Sequence, residues 1–260
     1  AVASAVLTPP AYDDGWVIAT ARAIKQLGFA TNYYDHKANV PQAQGTWLTW
    51  LNQFILREDI QYVYMRLVPL TFVFLAWLII RHVFINRMTS DNNRSAVTAM
   101  SAMFYVLWIA AFLTTIRPEP YLTFLWVVAA TAVFNFRHSL RIHWLITYVF
   151  VSALAFTAHQ TGYAIVVLVI LLINPFLKMV RGATAKTLQV LAVAVGCLAA
   201  GLPVLALLVF DTRPADLREG MLSFAESDTH NLGPLDEPNR WADALLNGPS
   251  LKKFVIFVLI

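Results

Sequence analysis

Two adjacent carboxylates, Asp13 and Asp14, are the side chains in this sequence best suited to proton transfer. Two like charges this close cannot both ionise freely, so one carboxyl holds its proton more readily and can exchange it near neutral pH. A carboxylate of this kind can act as a general base toward a sugar hydroxyl. Asp-Asp is also common at helix N-termini, and Asp14 could cap the following helix, which would leave Asp13 as the base.

The linker Arg117-Pro118-Glu119-Pro120 is a second place where chemistry could occur. Its prolines end both neighbouring helices, and its charges lie at a membrane surface. Arg117 could bind a phosphate, because a guanidinium group presents forked hydrogen-bond donors. An Arg–Glu pair with a purely structural role is the alternative, and the residues alone leave both open.

Further polar residues lie at the ends of apolar stretches. His159 and Gln160 could line a substrate pocket, although a lone histidine at a helix end is more often satisfied by its neighbours. Arg66 could anchor its helix by snorkelling to the headgroup region or could contact a lipid phosphate. No metal site is predicted, because a solvated loop better explains the three polar residues at alternate positions, Glu226, Asp228 and His230.

The composition places these residues in a membrane protein. Of 260 residues, 58% are hydrophobic and only 13% are charged, whereas about a quarter of the residues of a soluble protein are charged. The net charge of +4 comes from short basic clusters between apolar runs. That pattern is typical of membrane topology signals and excludes a nucleic-acid-binding surface. A single cysteine, Cys197, excludes an intrachain disulfide.

Six apolar stretches are long enough to cross a bilayer, which predicts an all-α polytopic membrane protein. They cover residues 67–85, 97–116, 121–136, 144–157, 162–176 and 188–210. Several are short for a hydrocarbon core of about 30 Å, and the third to fifth could be partly re-entrant. We expect the chain to be a fragment of a larger protein.

Basic residues gather in the loops after the first, third and fifth stretches. These loops hold one acidic residue, Asp91, and eight basic residues, namely Arg81, Arg87, Arg94, Arg137, Arg141, Lys178, Arg181 and Lys186. The positive-inside rule makes them cytoplasmic, which leaves Asp13, Arg117 and His159 on the external side. We therefore expect an external loop (1–63), a transmembrane bundle of about six helices (64–210), a second external loop (211–252) and the start of a further helix (253–260).

Two helices are predicted within the first external loop. One begins at Asp14 and continues to Ile24. The other carries apolar residues at helical spacing and would lie in the membrane interface with its tryptophans at headgroup depth. Those residues are Trp47, Trp50, Leu51, Phe54 and Ile55. Packing of this helix against the membrane helices fits the pattern equally well.

Several motifs, in collinear order, resemble those of the Emb arabinosyltransferases of mycobacteria and corynebacteria. Tyr12-Asp13-Asp14-Gly15-Trp16 resembles the Asp-Asp-Gly-Tyr start of that family, with Trp16 where the family usually has tyrosine. Ile116-Arg117-Pro118-Glu119-Pro120 resembles its Leu-Arg-Pro-Glu-Pro/Gly loop. Met65-Arg66-Leu67-Val68-Pro69 is similar to its Met-Arg-Leu-Pro helix start.

The resemblance implies a GT-C-type helical bundle that transfers arabinofuranose, with inversion, to cell-wall arabinan. The implied donor is decaprenyl-phosphoryl-arabinose, and the implied acceptor is arabinogalactan or lipoarabinomannan, at the external face of the plasma membrane. It implies that Asp13, with Asp14 beside it, is the catalytic base and that Arg117 and Glu119 line the donor site. Trp16 would lie in the substrate pocket. No cofactor is expected beyond the lipid-linked donor, whose phosphate is a good leaving group.

The expected partners are the lipid donor, a polysaccharide acceptor, the membrane, a related subunit in a homo- or heterodimer, and an acyl carrier protein on the cytoplasmic side. Where the family has a glutamate in its acceptor pocket, this chain reads Val40-Pro41-Gln42, so the acceptor stays open. The alternatives are another GT-C transferase that uses a polyprenyl-phosphate sugar, a non-catalytic partner subunit, and a transporter. A transporter would need charges within its spans, whereas here they lie at span ends.

Overall fold

The computed structural model describes residues 14–28, 46–56, 62–109, 115–182, 186–206 and 215. Within these ranges the regular structure is entirely helical and no strand occurs, which confirms the all-α prediction. The α-helices of eight or more residues are α1 (Asp14–Leu27), α2 (Thr46–Ile55), α3 (Tyr62–Ile79), α4 (Arg94–Ile109), α5 (Glu119–Ser139), α6 (Ile142–Ala158), α7 (Ile170–Gly182) and α8 (Lys186–Ala206).

The helices that can span a membrane correspond to the predicted apolar stretches. Four helical runs in the described part of the chain are long and apolar enough, namely Tyr64–Met88, Glu119–Ser139, Ala164–Gly182 and Thr187–Ala206. Helix α6 is apolar but shorter, and α4 covers the second stretch as far as Ile109, beyond which residues 110–114 lie outside the description. The chain is therefore a multi-pass membrane protein.

Two of these runs are not regular α-helices. Helix α3 continues through a π-helical segment, Ile80–Ile85, into a last turn, Asn86–Met88. The fifth stretch begins as a 3₁₀ helix, Gln160–Val169, before α7. The Tyr148 hydroxyl of α6 donates to the Ile165 carbonyl at 3.1 Å, and a Cβ at Gly162 would overlap the Ala155 carbonyl oxygen. The 3₁₀ helix therefore lies directly against α6.

Helix α5 forms the centre of the bundle. Its buried side chains recur at helical spacing and include Leu122, Leu125, Ala129, Val133 and Phe136. They contact a matching row on the antiparallel helix α6 in one hydrophobic core. The fully buried alanines of this core allow the backbones to approach closely, which is how membrane helices associate.

Helix α3 runs parallel to α5. Phe72, midway along α3, lies 5.0 Å from Tyr121 in the first turn of α5 between ring centroids, and Phe84 lies 5.5 Å from Phe134 further along both helical runs. Because the contacts occur in the same order, both helices start at the same end of the bundle. We call the end formed by the starts of α3 and α5 and the end of α6 the site end, and the opposite end the basic end.

The basic end carries the predicted cytoplasmic loops. Arg87, in the last turn of α3, donates through Nη1 to Asn135 Oδ1 near the end of α5 at 2.8 Å. Helix α8 runs parallel to α6, since Gly196 faces Ile146 and Gly201 faces Val149. Its first residue, Lys186, therefore lies at the basic end as well. The helix order thus separates the basic clusters from the polar residues of the site end.

Helices α1 and α2 cover the site end. A buried apolar cluster joins Ala21 of α1 and Leu56 after α2 to Met65 of α3 and Ile116 before α5. The Arg22 Nε–H of α1 also donates to the Leu56 carbonyl at 3.2 Å. The first predicted loop helix begins at Asp14, as expected. One cluster therefore connects α1 to the starts of α3 and α5.

Helix α2 is held on the bundle by polar contacts. Trp47 Nε1 donates to Thr157 Oγ1 of α6 at 3.0 Å, and the Tyr121 hydroxyl of α5 donates to Asn52 Oδ1 at 3.3 Å. On the side of α2 opposite Asn52, Phe54 is 72% exposed. The inner face therefore packs against the membrane helices, while Phe54 points away from the bundle.

Candidate functional site

An ion pair lies in the turn before α5. The Arg117 Nη2 atom is 2.9 Å from Glu119 Oε1, and the side chains are 35% and 14% exposed. Pro118 caps the helix and Glu119 is its first residue, where a carboxylate is favoured by the positive end of the helix dipole. The pair therefore fixes a partly exposed guanidinium at the site end, where an anion can approach it.

Arg66 is a buried cation on the first turns of α3. Its side chain is 1% exposed and lies next to Met65, which belongs to the cluster shared with Ile116. The prediction that Arg66 snorkels to the headgroup region is therefore wrong, because the side chain stays inside the protein. Helix spacing sets a residue's depth in the membrane, but tertiary packing decides whether it faces lipid. The other prediction, contact with a lipid phosphate, stays a prediction.

His159 lies between α6 and the 3₁₀ helix, in extended backbone with φ −164° and ψ 154°. Its carbonyl accepts a hydrogen bond from the Gly162 N–H at 2.8 Å. Burial, and secondarily the charge of Arg117, lower the pKa of His159 to about 4. The imidazole is therefore neutral at physiological pH, and it lies close enough to Arg117 to feel its charge.

The structure describes the acidic pair only in part. Asp13 lies outside the described residues, and of Asp14 the backbone is described as the first residue of α1. Val17 and Ile18 pack on the cluster that contains Met65 and Ile116. Because an α-helix rises about 5.4 Å per turn, the start of α1 lies about one turn from this cluster. The side chains of Trp16 and Gln160 are not described.

The site end thus brings together three of the predicted residues that can be placed, Arg117, Glu119 and His159, with Arg66 buried on the neighbouring helix. In the described ranges, no three His, Cys, Asp or Glu side chains are grouped so that they could hold a metal ion. Glu226, Asp228 and His230 lie outside those ranges.

Sequence reasoning missed two polar residues that position this end, Tyr121 and Thr157. Both are buried and both bind α2, through Asn52 and Trp47 respectively. The only signal in the sequence is that each lies beside a predicted turn. Tyr121 follows Glu119 by two residues, and Thr157 precedes His159 by two residues. They hold α2 over the start of α5 and the end of α6.

A family model described as "Mycobacterial cell wall arabinan synthesis protein" matches residues 2–234. The chain is 30% identical over 131 residues to probable arabinosyltransferase A of Mycobacterium leprae (strain TN), covering 46% of this chain and 12% of that protein. It is 28% identical over 121 residues to probable arabinosyltransferase A of Mycolicibacterium smegmatis, covering 46% of this chain and 11% of that protein. The chain therefore spans about an eighth or less of the length of the relatives it matches.

A solved structure shares the fold. The cryo-EM structure of arabinosyltransferase EmbB from Mycobacterium smegmatis matches with a TM-score of 0.74 at 20% sequence identity, over 85% of this chain and 21% of that chain. At this identity the match concerns the arrangement of the helices. The helical membrane bundle predicted from the sequence is therefore confirmed.

Proposed function

The chain belongs to the family of mycobacterial cell wall arabinan synthesis proteins, and from this premise we propose that it carries part of the active site of a membrane arabinosyltransferase. Membership confirms the resemblance of the chain to the Emb arabinosyltransferases. The donor would be decaprenyl-phosphoryl-arabinose, and the product would be an arabinan extended by one arabinofuranose. The reaction needs no cofactor in this proposal, because the donor carries its own leaving group.

The proposed step is a single displacement with inversion. The acceptor hydroxyl oxygen bonds to the anomeric carbon as the bond from that carbon to the phosphate oxygen breaks. The hydroxyl proton passes to the Asp13 carboxylate, and the lipid phosphate leaves with the bonding electron pair. Arg117 and Arg66 offset the charge that develops on the phosphate. Glu119 orients Arg117, and the neutral His159 offers a hydrogen bond without adding a charge.

One observation carries this proposal: the Arg117–Glu119 pair, His159 and the start of α1 occur at the same end of the bundle. The ion pair measures 2.9 Å, His159 feels the charge of Arg117, and Ile116 shares an apolar cluster with α1. A transferase that uses a lipid phosphate needs cationic and carboxylate side chains close together at the membrane surface. Cations there can bind the phosphate while a carboxylate faces the acceptor.

The site end would face outward, and the basic end would face the cytoplasm, in keeping with the positive-inside rule. The basic end would then offer an acidic cytoplasmic protein, such as an acyl carrier protein, a surface of opposite charge. A related subunit could pair with the chain as a homo- or heterodimer. The acceptor is left open, because residues 40–42 lie outside the described ranges and contain no acidic residue.

Transfer of arabinose by the complete purified protein tests the proposal. The assay supplies a polyprenyl-phosphoryl-arabinose donor and an arabinan oligosaccharide and measures the lengthened product. Asp13→Asn should lower kcat by roughly 10²- to 10⁴-fold, the contribution expected of a general base. The matched control is Asp91→Asn, because Asp91 is an exposed carboxylate paired with Arg94 at the basic end. Near-normal turnover by Asp13→Asn would show that the proposed base is wrong.

A further inference from the structure

Helix α2 is bonded to three elements that carry or adjoin residues of the proposed site. Its start binds the end of α6, its second half binds the start of α5, and the residue after its end binds α1. Helix α6 ends directly before His159, the turn before α5 carries Arg117, and α1 begins at Asp14. One helix of ten residues therefore connects three parts from which the site is assembled.

The attachment to α6 uses an oriented hydroxyl. Thr157 is fully buried, and its Oγ1 donates to the Ala153 carbonyl of its own helix at 2.9 Å. The same oxygen keeps lone pairs, and it accepts from Trp47 Nε1 at 3.0 Å. An indole N–H can only donate, so the direction of this bond is fixed. Because Thr157 lies two residues before His159, the bond holds the turn that carries His159.

The attachment to α5 is buried as well. The Tyr121 hydroxyl donates to Asn52 Oδ1 at 3.3 Å, and both residues are 4% exposed. Tyr121 lies in the first turn of α5, two residues after Glu119, which pairs with Arg117. Buried polar groups are costly to leave without a partner, so this bond holds the turn that carries Arg117. The two attachment points on α2 are five residues apart, about 7.5 Å along the helix axis.

The end of α2 is attached to α1. Arg22 Nε donates to the Leu56 carbonyl at 3.2 Å. The last carbonyls of an α-helix have no partner within the helix, and a guanidinium is favoured there by the helix dipole. The Leu56 side chain is buried in the cluster that it shares with Ala21 of α1. A displacement of α2 would therefore also displace α1.

We propose that α2 is a spacer that fixes the distance between the Arg117 turn and the His159 turn, and that the four side chains joining it to α5 and α6 are positioning residues. The inference rests on the proposed function for its catalytic consequence. A rigid helix keeps the two turns apart only while both of its bonds are intact, because release of either end lets the helix tilt. Arg117 and His159 then lose their alignment for the displacement, although neither side chain is changed.

Substitution of Thr157 separates positioning from packing. In the complete purified protein, Thr157→Val keeps the shape of the side chain but loses the acceptor, and it should lower kcat for arabinose transfer about tenfold while KM for the donor changes less than about twofold. Thr157→Ser keeps the hydroxyl and should stay within about twofold of the wild type. The matched control is Thr131→Val, because the Thr131 hydroxyl donates to the Val127 carbonyl of its own helix. Equal kcat for the two Thr157 variants would overturn the inference.

A double-mutant cycle tests whether the two bonds act together. Tyr121→Phe removes the hydroxyl that binds Asn52, and it should also lower kcat about tenfold. Because release of either end is sufficient, the protein carrying both Thr157→Val and Tyr121→Phe should be about as slow as the slower single variant. A loss equal to the product of the two, about a hundredfold, would mean that the bonds act independently and would overturn the spacer.

Amide hydrogen exchange tests the spacer without measuring transfer. The Leu122 N–H and the Gly162 N–H each bond a carbonyl within one of the two turns, at 3.0 and 2.8 Å. Thr157→Val should speed exchange at Leu122, and Tyr121→Phe should speed it at Gly162, so that each variant loosens the turn that it does not touch. The control should change neither rate. This result supports the spacer even if the complete protein transfers no arabinose, which would refute the proposed function alone. Faster exchange confined to the substituted turn would overturn the spacer.

Discussion

At the scale of single residues, the Arg117–Glu119 pair has a structural role that leaves room for the proposed chemical one. Glu119 is favoured at the start of α5, and it holds Arg117 by a 2.9 Å contact. The two roles that the sequence left open are therefore compatible. A guanidinium that is one-third exposed can keep this partner on one nitrogen and still meet a phosphate through its planar fork.

Arg117→Lys tests that role while keeping the charge. We expect kcat/KM for the lipid donor to fall by roughly tenfold to a hundredfold, because losing one charged hydrogen bond costs about 1.5–3 kcal/mol. The control is Arg87→Lys at the basic end, where Arg87 contacts Asn135, and it should leave donor kinetics unchanged. Equal effects of both variants would contradict a donor-binding role for Arg117.

His159 gives the stability of the protein a pH dependence. Its pKa is about 4 in the folded protein and 6.5 in an unperturbed histidine. As the pH falls below about 6.5, the unfolded chain takes up a proton that the folded protein does not, so stability falls until the pH reaches about 4.

His159→Gln should remove this dependence, because the amide has no proton to gain. Between pH 7 and pH 4.5, the wild type should lose more thermal stability than the variant, as read from Tm in detergent. Other titrating groups are common to both proteins and cancel in the comparison. Parallel Tm curves would mean that His159 is not held neutral by its surroundings.

At the scale of elements, the 3₁₀ helix Gln160–Val169 positions His159 through its contact with α6. A side chain at Gly162 would collide with the backbone carbonyl of Ala155, which cannot rotate away as a side chain can. The backbone must then shift, and the turn that carries His159 shifts with it.

Gly162→Ala should therefore destabilise the protein by on the order of 1–3 kcal/mol, as overpacking does elsewhere. The transfer activity of Gly162→Ala should also fall by more than its loss of thermal stability explains, because the turn that carries His159 moves. Gly182→Ala is the matched control, because no atom lies within 4 Å of its Cβ position. Chemical denaturation of both variants would measure the difference, and equal stability would refute the close contact.

The elements also show what the sequence can and cannot predict. Apolar length predicts the membrane helices, and the prolines and charges of the Arg117 linker predict the start of α5. The π-helical segment Ile80–Ile85 and the 3₁₀ helix Gln160–Val169 lie within apolar stretches like those of the α-helices, so composition does not distinguish them. The burial of Arg66 and the hydrogen bond from Trp47 to Thr157 depend on which helices pack against each other. The local pattern of a single sequence does not specify that packing.

At the scale of the whole molecule, the parallel arrangement of α3 and α5 determines the polarity of the bundle. It gathers Arg66, Arg117 and His159 at one end and leaves Arg87 at the other with the remaining basic clusters. The sequence predicts this separation because alternate loops differ in charge, and the order of ring contacts along α3 and α5 agrees with it. A membrane potential and anionic inner-leaflet lipids would favour the basic end inside the cell.

Cysteine labelling in intact cells tests this orientation. With every cysteine of the complete protein, including Cys197, replaced by serine as background, Ala19→Cys reports on the exposed side of α1, and Asn92→Cys reports on the exposed turn at the basic end. A membrane-impermeant maleimide should label Ala19→Cys from outside and Asn92→Cys only after the cells are permeabilised. The reverse result would place the Arg117–Glu119 pair in the cytoplasm. The proposed acceptor polysaccharide would lie outside the membrane, so that orientation would rule out the proposed transfer even if the purified protein bound the donor.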